Sequence, residues 1–172
     1  MMRFTTRPTV LLFLFIGLII CSAGPASART TTYTHFAADL PDGWDGEENT
    51  GFTGEKDNEY MLVFKMHDEE GENIKGVVSI FLLPPLPNSV ENIAAKLAAM
   101  QNSSTKPQQE GHFWTFSGEP RTQFKAPAIT RVSATQEHIL VIIVQDPEQL
   151  GGERLVDSLK GLTPEAREAL GR

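Results

Sequence analysis

The run His138–Gln145, HILVIIVQ, constrains this chain more than any other stretch. From Ile139 to Val144 the sequence is apolar without a break, and Ile139, Val141, Ile142, Ile143 and Val144 are β-branched. A strand with one wet face alternates polar and apolar residues; this one has no polar phase. It predicts a central strand covered on both sides. The rest of the folded chain reads as material that pairs with this strand and covers it.

Two further strands carry the strongest pattern. In Glu59–His67, Tyr60, Leu62, Phe64 and Met66 share one face while Met61, Val63 and Lys65 share the other. After the charged turn Asp68–Asn73, Ile74–Leu83 returns with Val78, Ile80 and Leu82 on one side and Val77, Phe81 and Leu83 on the other. This predicts an antiparallel hairpin, apolar on both faces and covered by helices on both. Pro84-Pro85-Leu86-Pro87 stops the ladder because proline has no N–H to give it. Asn88 then predicts a helix N-cap with Glu91 as its capping-box partner, and Val90, Ile93, Ala94, Leu97 and Met100 recur at helical spacing. Gln101–Gly111 reads as a polar loop.

Weaker signals fill the remainder. Arg29–Tyr33 is a polar lead-in, and Tyr33–Leu40 reads as a strand ended by the turn Pro41-Asp42-Gly43. A faint strand is expected around Glu48–Thr53. His112–Gly118 reads as a strand with Trp114 and Phe116 on one face. Gln123–Ala134 alternates, with Phe124, Ala126, Ala128, Thr130, Val132 and Ala134 inward and Gln123, Lys125, Arg131 and Ser133 outward. Asp146-Pro147 predicts the start of a helix with Leu155, Val156 and Leu159 as its stripe, and Thr163-Pro164-Glu165 starts a short last helix. Short turns between strands imply an α+β fold, a largely antiparallel sheet of about six to seven strands sandwiched between helices.

The N-terminus has the form of an export signal. Arg3 and Arg7 precede the apolar stretch Val10–Cys21, and Ala26-Ser27-Ala28 is an A-x-A cleavage site. The apolar stretch is shorter than the ~20 residues that span a bilayer. Residues 1–28 are thus expected to leave as a signal peptide, giving a periplasmic or secreted domain, Arg29–Arg172, with no membrane span. The competing reading, a lipid anchor on Cys21, has Ile20 where a small residue belongs. The formal net charge of the full chain is −7, and cleavage removes Arg3 and Arg7 but no acid. So acidic a protein is repelled by nucleic acid and by anionic lipid. Cys21, the single cysteine, would leave with the signal, taking thiol and disulfide chemistry with it.

A strand ending in Leu40-Pro41-Asp42-Gly43-Trp44, followed by a hairpin, a helix, three more strands and a C-terminal helix, resembles the PsbP-like superfamily. Its best-known members are extrinsic photosystem II proteins, and its bacterial members are small exported envelope proteins. The resemblance implies that fold from Tyr33 to about Leu162 and carries no shared catalytic set.

The residues themselves assemble no recognisable chemistry. His35, His67, His112 and His138 lack the local spacing of metal ligands. A metal centre would need distant residues to meet, for instance His67 and His112 with Asp68. The acidic tip Asp68–Asn73 has its glycine too early for a calcium loop. There is no G-x-S-x-G, phosphate loop or dinucleotide fingerprint. Pro84–Pro87 reads as a stiff connector, and the sequon Asn102-Ser103-Ser104 is assigned no role. Trp44, next to the polar segment Asp45–Gly54, is the candidate anchor for a partner if exposed, and a lid on the sheet's end if not. The expectation is a non-catalytic exported module that binds an envelope protein or component and needs no cofactor or metal. Its alternative is a metal protein or enzyme built from scattered His and Asp.

Overall fold

The computed structural model describes residues 29–50 and 59–172. The predicted signal peptide, Cys21 and the end of the faint second strand lie outside the described residues. The main sheet has seven antiparallel strands: β3 (Trp44–Thr50), β4 (Tyr60–His67), β5 (Ile74–Leu83), β6 (Gln108–Glu110), β7 (Phe113–Gly118), β8 (Ala128–Ala134) and β9 (Ile139–Gln145). Their spatial order is β3-β4-β5-β9-β8-β7-β6. The apolar run Ile139–Val144 therefore occupies the middle strand, as its lack of a polar phase predicts.

The two faces of this sheet are covered differently. The front carries α1 (Val90–Met100), whose Ile93, Ala94 and Ala98 pack against Phe116, Val132, Ile139 and Val141. Ser89, not Asn88, caps this helix, its hydroxyl accepting the Asn92 N–H at 3.3 Å. The back carries a second, three-stranded sheet of β1 (Arg29–Thr32), β2 (Phe36–Leu40) and β10 (Lys160–Gly161), in the order β1-β2-β10. With it lie α2 (Gly152–Ser158) and α3 (Pro164–Ala169). The sequence places the first strand beside the others; the structure layers it on top of them. Arg29–Thr32, a polar lead-in by pattern, is a strand because it pairs with β2 from Arg29↔Leu40 to Thr32↔Ala37. The back core holds Phe36, Leu40, Leu62, Phe64, Val78, Ile80, Leu140, Ile142, Leu155 and Leu159.

Three local expectations are corrected. The helix predicted from Asp146 begins only at Gly152. Both oxygens of the Asp146 carboxylate turn back to the chain, accepting the N–H groups of Leu150, Gly151 and Gly152 at 2.8, 3.0 and 2.8 Å. The residue read as an N-cap instead closes a wider turn that passes through left-handed Gln149 and Gly151. The strand read from Gln123 starts at Ala128. Residues 122–126 form a loop tied to buried Gln145, whose amide donates to the carbonyls of Phe124 and Ala126 at 2.8 and 3.0 Å. The third is β6, which emerges inside the polar stretch Gln101–Gly111 and pairs with β7 from Gln108↔Thr115 to Glu110↔Phe113.

Candidate functional site

The cross-strand register places the candidate site. On the back face one row of paired residues runs Leu62, Ile80, Ile142, Arg131, Thr115, Gln108. The first three are wholly buried beneath α2 and the small sheet. At Arg131 the row turns polar and the cover ends, because α2 is short and lies over β5, β9 and β2. The outer part of the back face, on β6, β7 and β8, is left as a groove walled by α2 and by the chain from Thr105 to Glu110.

Three cavities make up this groove, of about 530, 540 and 270 Å³. The first and second share Ser117, Ile129 and Glu153; the second and third share Glu110, Thr115 and Arg131. At one end Pro127, Ala128, Ile129 and Val144 give an apolar floor, with Asp146 and Arg154 on the rim. In the middle Arg131 Nη2 donates to Glu153 Oε2 at 2.5 Å. Beside that pair, Thr115 Oγ1 and Glu153 Oε1 are enclosed and have no hydrogen-bond partner among the described residues. At the far end Leu170 and Arg172, the last turn of the chain, close the groove. The floor offers donors and acceptors side by side on an apolar base, the usual make-up of a recognition cleft.

The titratable residues gather elsewhere, where β3 ends and β4 and β9 begin. Tyr60 donates its phenol proton to Glu48 Oε1 at 2.6 Å, and Glu48 also accepts from the Thr34 N–H and hydroxyl. Burial, then the Glu48 hydrogen bond, push the Tyr60 phenol far above its ordinary range. The His35 ring stands edge-on to Tyr60, with centroids 4.6 Å apart, and its Nδ1 meets Thr163 Oγ1 at 3.1 Å. Desolvation lowers the His35 pKa, against the raising effect of Glu165 and Glu48, and His138 lowers it further. Glu165 sits below its ordinary range, chiefly because its own N–H and the Thr163 hydroxyl bond its carboxylate, with His138 and His35 adding to this.

The residues singled out from sequence are thus dispersed. Trp44 is 3% exposed and its Nε1 donates to the Leu150 carbonyl at 3.1 Å. Its ring lies over Gly76, where an added Cβ would stand 3.0 Å from Cη2. The exposure that an anchor needs is absent, and Trp44 lids the end of the sheet. His67 closes β4, whereas His112 opens the β6–β7 turn against Gly171, at the opposite end of the strands and four strands away. At ~4.8 Å per strand that is roughly 20 Å across the sheet, too far to share an ion with Asp68. Among the described residues no group of three or more His, Cys, Asp or Glu is placed to hold a metal. Sequence reasoning missed the groove, since Arg131 and Ser133 read as solvent-facing. Arg131 is in the groove floor, and Ser133 is buried and donates to the Ala169 carbonyl. No helix among the described residues is long and apolar enough to cross a membrane.

No family model matches the chain, and no curated protein does. A crystal structure of a protein from Bacteroides thetaiotaomicron VPI-5482 is similar over 80% of this chain, at 12% identity and a TM-score of 0.47. The chain spans 50% of the length of that protein.

Proposed function

We propose that this chain is an exported, non-catalytic binding module of PsbP-like kind, whose back groove takes an extended segment of an envelope protein or component. The observation that carries this reading is the groove itself. It is continuous over three cavities, and its floor holds enclosed polar atoms, Thr115 Oγ1 and Glu153 Oε1, that have no partner among the described residues. An unpaired enclosed polar atom costs ~1–3 kcal/mol. A ligand group that completes Thr115 Oγ1 or Glu153 Oε1 recovers part of that cost. The groups best suited to proton chemistry, His35, Tyr60 and Glu48, are bonded to structural partners and do not line the groove. Export is supported by Arg3, Arg7 and Ala26-Ser27-Ala28, and the PsbP-like assignment by Leu40–Trp44 and the element order.

A photo-crosslinker carried at Ser117 tests the binding reading against one at Lys96, on the exposed side of α1. In envelope extract the Ser117 probe is expected to give a discrete conjugate that the Lys96 probe does not. Replacing Ile129 by Arg in the floor should abolish it. Equal labelling from both positions sinks the groove as the site. Intact mass of protein from the periplasm tests export: it should begin at Arg29, and a lipid-modified Cys21 or a retained Met1 would overturn that.

A further inference from the structure

The outer edge of β7 is open at one residue. Thr135 N–H donates to the His138 carbonyl at 2.8 Å, closing the β8–β9 hairpin. By antiparallel alternation the main chains of Thr130 and Val132 then face β7, where the register sets Phe116 and Trp114 against them. Thr115 and Ser117 therefore direct their N–H and C=O groups outward, away from β8. Thr115 is paired with Gln108 of β6. Beyond the strand the Glu119 N–H, in the same outward phase, donates to the Gln101 carbonyl at 2.6 Å. Between these two rungs the chain from Asn102 to Pro107 loops away: Asn102 is left-handed, with φ 52°, and Pro107 has no N–H to pair. Ser117 is left without a main-chain partner among the described residues. It is exposed, and it lines both of the larger cavities of the groove. The window beside it takes one residue in extended form, since Gln101 stops a strand on one side and Gln108 on the other.

We propose that this window receives the carboxy-terminal residue of a polypeptide, which deepens the groove reading and rests on it. The terminal residue's N–H donates to the Ser117 carbonyl, and its carboxylate accepts from the Ser117 N–H. A chain end completes such a pair without running on into Gln108. Charge selects the carboxyl end over the amino end. Among the charged residues lining the two cavities that share Ser117, Asp146 is occupied by three main-chain N–H groups and Glu153 by Arg131. Lys106 and Arg154 have no ion pair among the described residues, against Glu110 alone of the opposite sign. This cationic surplus stands in a chain of net charge −7. Lys106 belongs to the looped stretch and lines the same cavity as Ser117, which puts an ammonium at the carboxylate's side of the window. Residues upstream of the end leave the window over Pro127, Ala128, Ile129 and Val144, so apolar side chains are preferred there. A fatty acid supplies a carboxylate but no N–H for the Ser117 carbonyl.

Short random-sequence peptides with free carboxy termini, and the same peptides as carboxy-terminal amides, test this on the immobilised protein. The free acids should be retained, with apolar residues enriched next to the end. Their amides should bind roughly tenfold more weakly, the loss of one hydrogen bond to a charged group. Lys106→Gln should weaken the acids by a similar factor and the amides hardly at all, and Ile129→Arg should abolish both. Ser117→Pro removes the outward N–H and nothing from the β7–β8 ladder, so it should also erase the preference for acid over amide. If Ser117→Pro does not fold, Lys106→Gln, at an exposed loop position, carries the test. Amides that bind as well as acids, or a preference untouched by Lys106→Gln, would overturn the proposal. So would a discrete Ser117 conjugate in envelope extract with no peptide retained, an outcome that leaves the groove reading in place. Failure of both retires groove and window together.

Discussion

Ile142 is the residue on which the back core turns. It is wholly buried, paired with Ile80 on one side and Arg131 on the other. Ile142→Ala should lower unfolding stability by ~2–5 kcal/mol, the transfer loss plus an unfilled cavity. Denaturant midpoints measure this, and exposed Lys125→Ala is the control that should barely move. Equal shifts would mean that β9 is not central. Gln145 ends the same strand with a different task. It is 1% exposed, bonds two carbonyls of the 122–126 loop, and accepts from the Thr122 hydroxyl at 3.2 Å. Gln145→Leu keeps the volume but orphans those groups, at about 1–3 kcal/mol for each one left buried. The loop should then be cut faster by trypsin at Arg121 and Lys125 under native conditions; unchanged cutting would show that Gln145 does not hold it. The centrality of Ile142 is visible in the sequence, since only a strand covered twice tolerates such a run. Gln145 and Trp44 are opaque there. A glutamine ending a strand looks like the edge of solvent, and a tryptophan beside a polar segment looks exposed, until the partners Phe124, Ala126 and Leu150 are brought in by the fold.

Elements with strong internal periodicity were legible: β4, β5, β9 and the body of α1 follow their patterns within a residue or so. Elements defined by a distant partner were not. β1 and β10 exist because β2 pairs with both, and β6 because β7 offers it an edge. None has a hydrophobic rhythm of its own. The groove was hidden for the same reason: the change from Ile142 to Arg131 within one row depends on register, which single-strand patterns do not contain. The contact between β10 and α3 allows a sharp test at this scale. Gly161 packs so closely on α3 that an added Cβ would stand 2.7 Å from the Ala166 carbonyl carbon, with the Arg167 backbone nearer still. Backbone has little room to yield, so Gly161→Ala should cost roughly 1–3 kcal/mol, the usual scale of overpacking. It should also raise hydrogen exchange across Pro164–Ala169. A stable variant with unchanged exchange there would show that α3 is not closely seated on Gly161.

For the whole molecule, the shifted groups set a window of stability. His35 titrates below its ordinary 6.5 because burial disfavours its charged form. Through that region the unfolded chain binds more protons than the native one, so native stability falls as pH falls. Glu165 and Asp68 lie below their ordinary values and extend the loss into the carboxylate range; for Asp68 the leading cause is the Asn73 side-chain hydrogen bond. The alkaline side has the opposite sign. Tyr60 is raised above its ordinary 10.0 by burial and by its bond to Glu48, so its contribution is fully present below that value. As pH rises past it, the unfolded chain releases a proton that the native chain keeps, and stability declines. Urea midpoints across pH should therefore form a plateau between about pH 7 and about pH 9.5, with a limb on each side. Tyr60→Phe retains the ring against His35 and Phe36 while removing the ionisable hydroxyl. It should lower the plateau by roughly 1–2 kcal/mol, since Glu48 loses a donor, and should flatten the alkaline limb while leaving the acid limb in place. An alkaline limb that survives Tyr60→Phe unchanged would mean that the Tyr60–Glu48 bond does not govern it.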